Sequence, residues 1–214
     1  MADVVFPDLP APLAVRYVVY DPVQVQAWRA MLTRTERQCW RQIAVPRQKR
    51  AFLLGRVALR SLLGEVLDVP PRQVRLRRMA GQDVRVPRCP YRLAVAATGH
   101  QALAVVGLPP LGVALEPIST PGPDRFRLLF HRDEYGLFDT LPLDHPRRFA
   151  LWAALKGATR QAIQAPDDYP LRQFRLRLHL PHQVARVQTL RNGSLHLCFA
   201  ERNGHYLALA YDVG

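Results

Sequence analysis

The chain has 214 residues, 49% of them hydrophobic, with 30 Lys and Arg against 17 Asp and Glu, a formal net charge of +13. No apolar run approaches the ~18 residues that span a bilayer, and the first residues offer neither a basic stretch nor a long apolar core, so no secretory signal is expected. Cys39, Cys89 and Cys198 are odd in number, far apart and without C-x-x-C spacing, which argues against a disulfide framework and a zinc site and points to a reducing cytoplasm.

Leu13 to Tyr20 is rich in Val and Tyr and reads as a strand. Val23 to Leu32 follows Pro22 as a short amphipathic helix. Thr33 and Glu36 have capping-box spacing, so a second helix starts there and carries Cys39 and Trp40. After Pro46 a third helix is predicted over Gln48 to Leu67, where Leu54, Val57, Ala58, Ser61 and Leu62 recur at helical spacing. Arg72 to Pro90 reads as short strands and turns. Arg92 to Ala97, Ala102 to Val106 and Leu111 to Glu116 are short apolar runs between turn residues and read as a three-stranded meander.

Pro117 to Asp124 is a loop by composition. Helical pattern resumes from Phe130 to Phe138, and Pro146 opens a long helix to about Gln164. Phe174 to Leu180 alternates arginine with apolar residues, a strand with one solvated face. Ala185 to Leu190, Ser194 to Phe199 and His205 to Tyr211 form a second meander, with Asn192-Gly193 and Asn203-Gly204 as hairpin signals. The order predicts an α+β fold of two pseudo-symmetric halves, 1–116 and 117–214, each a small antiparallel sheet with a long helix. No residue-level repeat is read between them. Trp28, Trp40 and Trp152 are expected in the core.

The positive charge is almost all arginine; Lys49 and Lys156 are the only lysines. It reads either as a solvated surface or as a match for an anionic partner. The densest cluster, Arg72, Arg75, Arg77, Arg78, Arg85 and Arg88, is broken by Pro, Gly and apolar residues and lacks interleaved aromatics. A nucleic-acid-binding module is therefore the least favoured reading.

Several segments, in order, resemble the Sfp-type 4'-phosphopantetheinyl transferases. They are Arg50-Ala-Phe-Leu-Leu-Gly-Arg-Val-Ala-Leu-Arg60, the strands Val95 to Val106, Leu111-Gly-Val-Ala-Leu-Glu116, Phe130-His-Arg-Asp-Glu-Tyr135, Phe149-Ala-Leu-Trp152 and the closing Gly204-His-Tyr-Leu-Ala-Leu-Ala. The resemblance implies transfer of the phosphopantetheine arm of coenzyme A to a serine of an acidic carrier protein by a monomeric, Mg²⁺-dependent enzyme.

The carried-over site is incomplete. The family's strand holds Mg²⁺ with an Asp and a Glu two residues apart on one face; here those positions are Ala114 and Glu116. Its third carboxylate falls at Lys156 without a gap or at Gly157 with one. The ungapped reading is preferred because it puts Arg160 at the family's phosphate-binding lysine. Lys156 then either extends to solvent from its helix, the plainer reading, or sits where the ion would sit and pairs with Glu116. Glu134 matches the family's base, with a surface carboxylate at a helix end as the plain alternative.

The phosphate-binding set is Arg50, Arg56, His100, Lys156 and Arg160. Arg50 stands one step from the family arginine position, now Ala51, and His100 three steps from the Ser-His turn, now Ala96-Ala97; a plain turn histidine is the other reading. The family's Gly-Lys-Pro corresponds loosely to Gly81-Gln82. Coenzyme A binding is a possibility that these residues leave open, and Mg²⁺ binding is not expected. The leading reading is a transferase-like protein of weak or absent activity that binds a carrier protein as an accessory of fatty-acid or polyketide synthesis. The alternative is an active enzyme with a rearranged metal site whose ligands come from Asp124, Asp133, Glu134 or a backbone oxygen of the loop after Glu116.

Overall fold

A computed structural model describes residues 6, 9–78, 84–86, 91–107, 110–179, 183–188 and 194–212. It is an α+β protein of two compact units, one built on Pro10–Leu108 and the other on Pro109–Gly214. Among the described residues, no helix is long and apolar enough to cross a membrane.

The first unit opens with β1 (Ala14–Val19), followed by a 3-10 turn at Pro22–Gln24, α1 (Val25–Met31), α2 (Arg34–Gln42) and α3 (Pro46–Val66). The Thr33 hydroxyl accepts from the Glu36 N–H at 3.2 Å, and Glu36 Oε2 accepts from the Thr33 N–H at 2.9 Å. The expected capping box therefore starts α2. A 3-10 turn at Pro71–Gln73 leads to the two-residue strands β2 (Arg77–Arg78) and β3 (Val84–Arg85), then β4 (Arg92–Ala97) and β5 (Gln101–Gly107). The sheet order is β1-β5-β4, all antiparallel. Leu54, Val57, Ala58 and Leu62 of α3 share a core with Val18, Ala102, Ala104 and Val106 of the sheet.

The second unit repeats this plan. β6 (Leu111–Pro117) is followed by α4 (Pro123–Leu129), a 3-10 turn at Arg132–Glu134, α5 (Tyr135–Thr140) and the long α6 (His145–Ala162). A 3-10 turn at Leu171–Gln173 leads to β7 (Arg175–His179), β8 (Val184–Gln188), β9 (Ser194–Arg202) and β10 (His205–Tyr211), in the order β6-β10-β9-β8-β7. Its core joins Phe149, Trp152, Leu155 and Ala158 of α6 to Leu197, Phe199, Ala208 and Ala210. Positive φ at Asn203 and Gly204, 48° and 70°, forms the β9–β10 turn the sequence announced; Asn192-Gly193 lies outside the described residues.

Three expectations change. β6 does not join β4 and β5 in a meander: all seven of its residues pair with β10, so the chain divides at Leu108/Pro109 rather than after Glu116. A helix occupies Pro123–Leu129, where a loop was expected to run into it; Pro at its first position and Asp124 in its first turn favour it. Trp28 and Trp152 are buried in the cores, whereas Trp40 is only half-buried.

Candidate functional site

In the second unit α6 lies very close on β6. A Cβ on Gly112 would stand 1.9 Å from the Ala158 carbonyl oxygen and 2.4 Å from the Ala162 nitrogen, so only glycine permits this approach. β6 is an edge strand, and its Val113 N–H is satisfied by Gln161 Oε1 of α6 at 2.6 Å. One turn toward the start of α6, a Cβ on Gly157 would lie 3.2 Å from the Ala114 Cβ. The helix residue beside strand position 114 is therefore Gly157, and the gapped reading gives the spatial neighbour. Neither residue carries a side-chain oxygen that could serve as a ligand.

Glu116 follows on the same strand face. Its Oε1 accepts from Arg125 at 2.7 Å, and Arg125 also lies over the Phe149 ring, 5.4 Å from its centroid. In register across the sheet stand Tyr206 and then Glu201. Burial, and secondarily the Glu201 carboxylate, push the Tyr206 phenol well above its ordinary pKa. Glu201 is bridged at 3.3 Å by Arg147, which also pairs with Asp144, the N-cap of α6.

Lys156 does not pair with Glu116, nor does it reach solvent. It is fully buried, and its ammonium donates to Glu134 Oε2 at 2.5 Å and to the Leu129 carbonyl at 2.7 Å. A helix side chain one residue from Gly157 points about 100° away from it, which carries Lys156 off the strand and toward the loop before α5. Burial pulls the Lys156 pKa down, and the Glu134 carboxylate opposes that shift. Glu134, 3% exposed, also accepts from the His131 N–H at 2.8 Å and, through Oε1, from the Leu176 N–H at 3.0 Å. This is the geometry of a structural counter-ion that ties three segments together, not of a carboxylate facing an incoming hydroxyl. The pair also explains why a lysine tolerates such burial.

In the first unit Arg50 donates to the Gly99 carbonyl at 3.0 Å and lies over Tyr20. His100 is the exposed turn residue between β4 and β5: its N–H bonds the Thr98 hydroxyl at 3.2 Å and its carbonyl accepts from the Tyr20 N–H at 2.7 Å. Arg160 donates to the Asp167 carbonyl at 2.7 Å. Arg56 lies 3.6 Å from Glu36 and over the Phe52 ring. It lines an open groove of about 940 Å³ with Thr33, Thr35, Glu36, Arg60, Arg72 and Arg75. Arg60 is 1% exposed; it binds Glu36 at 2.8 Å and the Pro71 and Val74 carbonyls at 2.9 Å each. Arg72 and Arg75 are exposed at the rim, so the groove presents guanidinium groups to any anionic ligand. The sequence signal for it was the Arg72–Arg75 end of the arginine cluster; Gly81-Gln82 lies outside the described residues.

The structure also exposes a repeat that sequence reading missed. Pro70-Pro-Arg-Gln-Val-Arg-Leu-Arg77 and Pro170-Leu-Arg-Gln-Phe-Arg-Leu-Arg177 agree at six of eight positions, 100 residues apart. The same offset relates Pro46-Arg47 to Pro146-Arg147, Ala58 to Ala158 and Arg60 to Arg160. Both octets form the 3-10 turn after the long helix and bury their fifth residue, Val74 or Phe174. In both units a capping-box glutamate, Glu36 or Glu134, reaches a buried base on the long helix.

No family model and no curated protein matches this chain. Among the described residues, no group of three His, Cys, Asp or Glu side chains is placed to hold a metal ion. The chemistry of the residues at the α6–β6 contact does not fit Mg²⁺ either. Hard cations want several oxygens, and Ala114, Gly157 and an arginine-bound Glu116 supply one carboxylate already neutralised.

Proposed function

We propose that this chain is a phosphopantetheinyl-transferase-like protein that binds an acidic carrier protein and has little or no transferase activity of its own. The duplicated plan supports the resemblance: strand, short helices, long helix, small hairpin, then a hairpin whose last strand returns to the first. The observation that carries the loss of activity is the closeness of Gly157 to Ala114, where even a Cβ on the glycine would stand 3.2 Å from the alanine Cβ. Where the resemblance calls for carboxylates from strand and helix, two residues without polar side chains face each other. The expected base, Glu134, is held by Lys156, His131 and Leu176. Loss of one charge-stabilising group typically lowers rates by ~10²–10³. The arginine-lined groove leaves room for a phosphorylated ligand such as the nucleotide end of coenzyme A.

The test incubates the full chain with coenzyme A, Mg²⁺ and an apo carrier protein, and follows both complex formation and the carrier's mass. Binding without a mass gain is expected. Rapid appearance of the phosphopantetheine arm on the carrier would overturn the proposal in favour of an active enzyme with a rearranged site.

A further inference from the structure

Residues 22 to 56 carry eight Arg and Lys against a single acid, Glu36. That acid is turned inward onto Arg60 and Arg56, so it does not neutralise the surface. On α2, Arg34, Arg37 and Arg41 stand at i, i+3 and i+7 and share one helix face; Arg34 and Arg41 are exposed. Beside them, Trp40 lies between α1 and α3. The Arg29 guanidinium carbon is 4.8 Å from its ring centroid and the Lys49 ammonium 4.7 Å. The indole thus holds two cations from different helices near each other where they would otherwise repel.

We infer that this face, α2 with the Arg29–Trp40–Lys49 stack, is the docking surface for an acidic helical protein. The inference rests on the carrier-protein reading for the partner's identity, but not for its charge. The spacing favours a helix. Arg34 to Arg41 rises about 10 Å, two turns, which matches carboxylates at i, i+3 and i+7 of a partner helix. The aromatics disfavour a single-stranded nucleic acid, which needs open ring faces. Trp40 lies under Arg29 and Lys49, Tyr20 under Arg50 and Phe52 under Arg56. The cations that would bind phosphate therefore cover the rings that would stack bases.

The experiment measures anisotropy of a labelled apo acyl carrier protein titrated with the full chain at low and physiological ionic strength. Poly-L-glutamate and duplex DNA serve as competitors. The variant R34Q/R37Q/R41Q is expected to weaken carrier binding at least about tenfold and to flatten its salt dependence. R29Q/K49Q, which strips Trp40 of its cations, weakens it as well. R127Q/R172Q/R202Q, an equal loss of charge from the second unit, changes it less than about twofold. Circular dichroism checks that each variant is folded.

If wild type binds the carrier and the α2 variant binds equally well, or the control loses as much, the docking inference fails while the carrier reading stands. If wild type binds poly-L-glutamate through α2 but no carrier, the surface stands and the carrier reading fails. Duplex DNA displacing the carrier at equal ionic strength through the same arginines would overturn the acidic-protein assignment, and no binding to carrier or poly-L-glutamate at low salt would overturn the surface itself.

Discussion

Lys156 and Glu134 are each worth more to the fold than to chemistry. Removing one partner of a buried ion pair leaves an unpaired charge and typically costs about 3–5 kcal/mol, whereas replacing both can be nearly neutral. K156M should therefore lower the urea midpoint sharply, and K156M/E134Q should recover more than about 1 kcal/mol of that loss. A double variant no more stable than K156M would mean that the pair is incidental. Glycine positions on the α6–β6 contact make a second contrast. At Gly112 the obstacles are helix backbone atoms at 1.9 and 2.4 Å, which cannot swing away. At Gly157 the neighbour is one methyl group at 3.2 Å. G112A should cost about 3 kcal/mol or more and G157A under about 1.5 kcal/mol by chemical unfolding. Equal costs would show that α6 shifts freely on β6.

At the scale of elements, caps decide where helices start, and one of them titrates. Asp144 Oδ1 accepts from the Arg147 N–H at 2.9 Å at the start of α6. That bond, with the Arg147 guanidinium, holds its pKa below the ordinary carboxylate value of 3.8. A depressed carboxyl stabilises the fold above its unfolded pKa, and the contribution vanishes as pH falls through the folded one. D144A should thus be less stable than wild type at neutral pH, and the difference should fade in acid below the usual carboxylate range. A difference independent of pH would assign the effect to something other than the charge.

The α2 cap was legible because Thr33 and Glu36 are local and the box is reciprocal. The long helices and the β9–β10 turn were legible for the same reason: periodicity and Asn-Gly are read within a few residues. The choice of β10 as the partner of β6 was not, since it depends on residues about 90 positions away. The neighbour of Ala114 was also missed. Counting four residues from Trp152 gives Lys156, but the direction of a helix side chain depends on how α6 is rotated about its axis, and Gly112 fixes that rotation. The 100-residue repeat escaped because its octet is interrupted at two positions, Pro71 against Leu171 and Val74 against Phe174, the second of which enters a different core in each unit, and because Arg56 corresponds to a lysine.

For the whole molecule, duplication makes a statement about cooperativity. The two apolar cores share no residue: one runs from Val18 to Val106 and the other from Leu129 to Ala210. Each also has its own glutamate–base clasp, Glu36 with Arg60 and Glu134 with Lys156. Units with separate cores and separate polar ties open separately when their local stabilities differ. K156M should therefore speed amide exchange in β6, α6, β9 and β10 while α3 and β5 keep wild-type protection. The reciprocal variant L54A, which empties a fully buried site on α3 at a cost of about 2–5 kcal/mol, should do the opposite. Hydrogen exchange read by mass spectrometry distinguishes the two patterns directly. If either variant accelerates exchange equally in both units, the chain unfolds as one cooperative block, and the twofold plan in its sequence and topology has no counterpart in its stability.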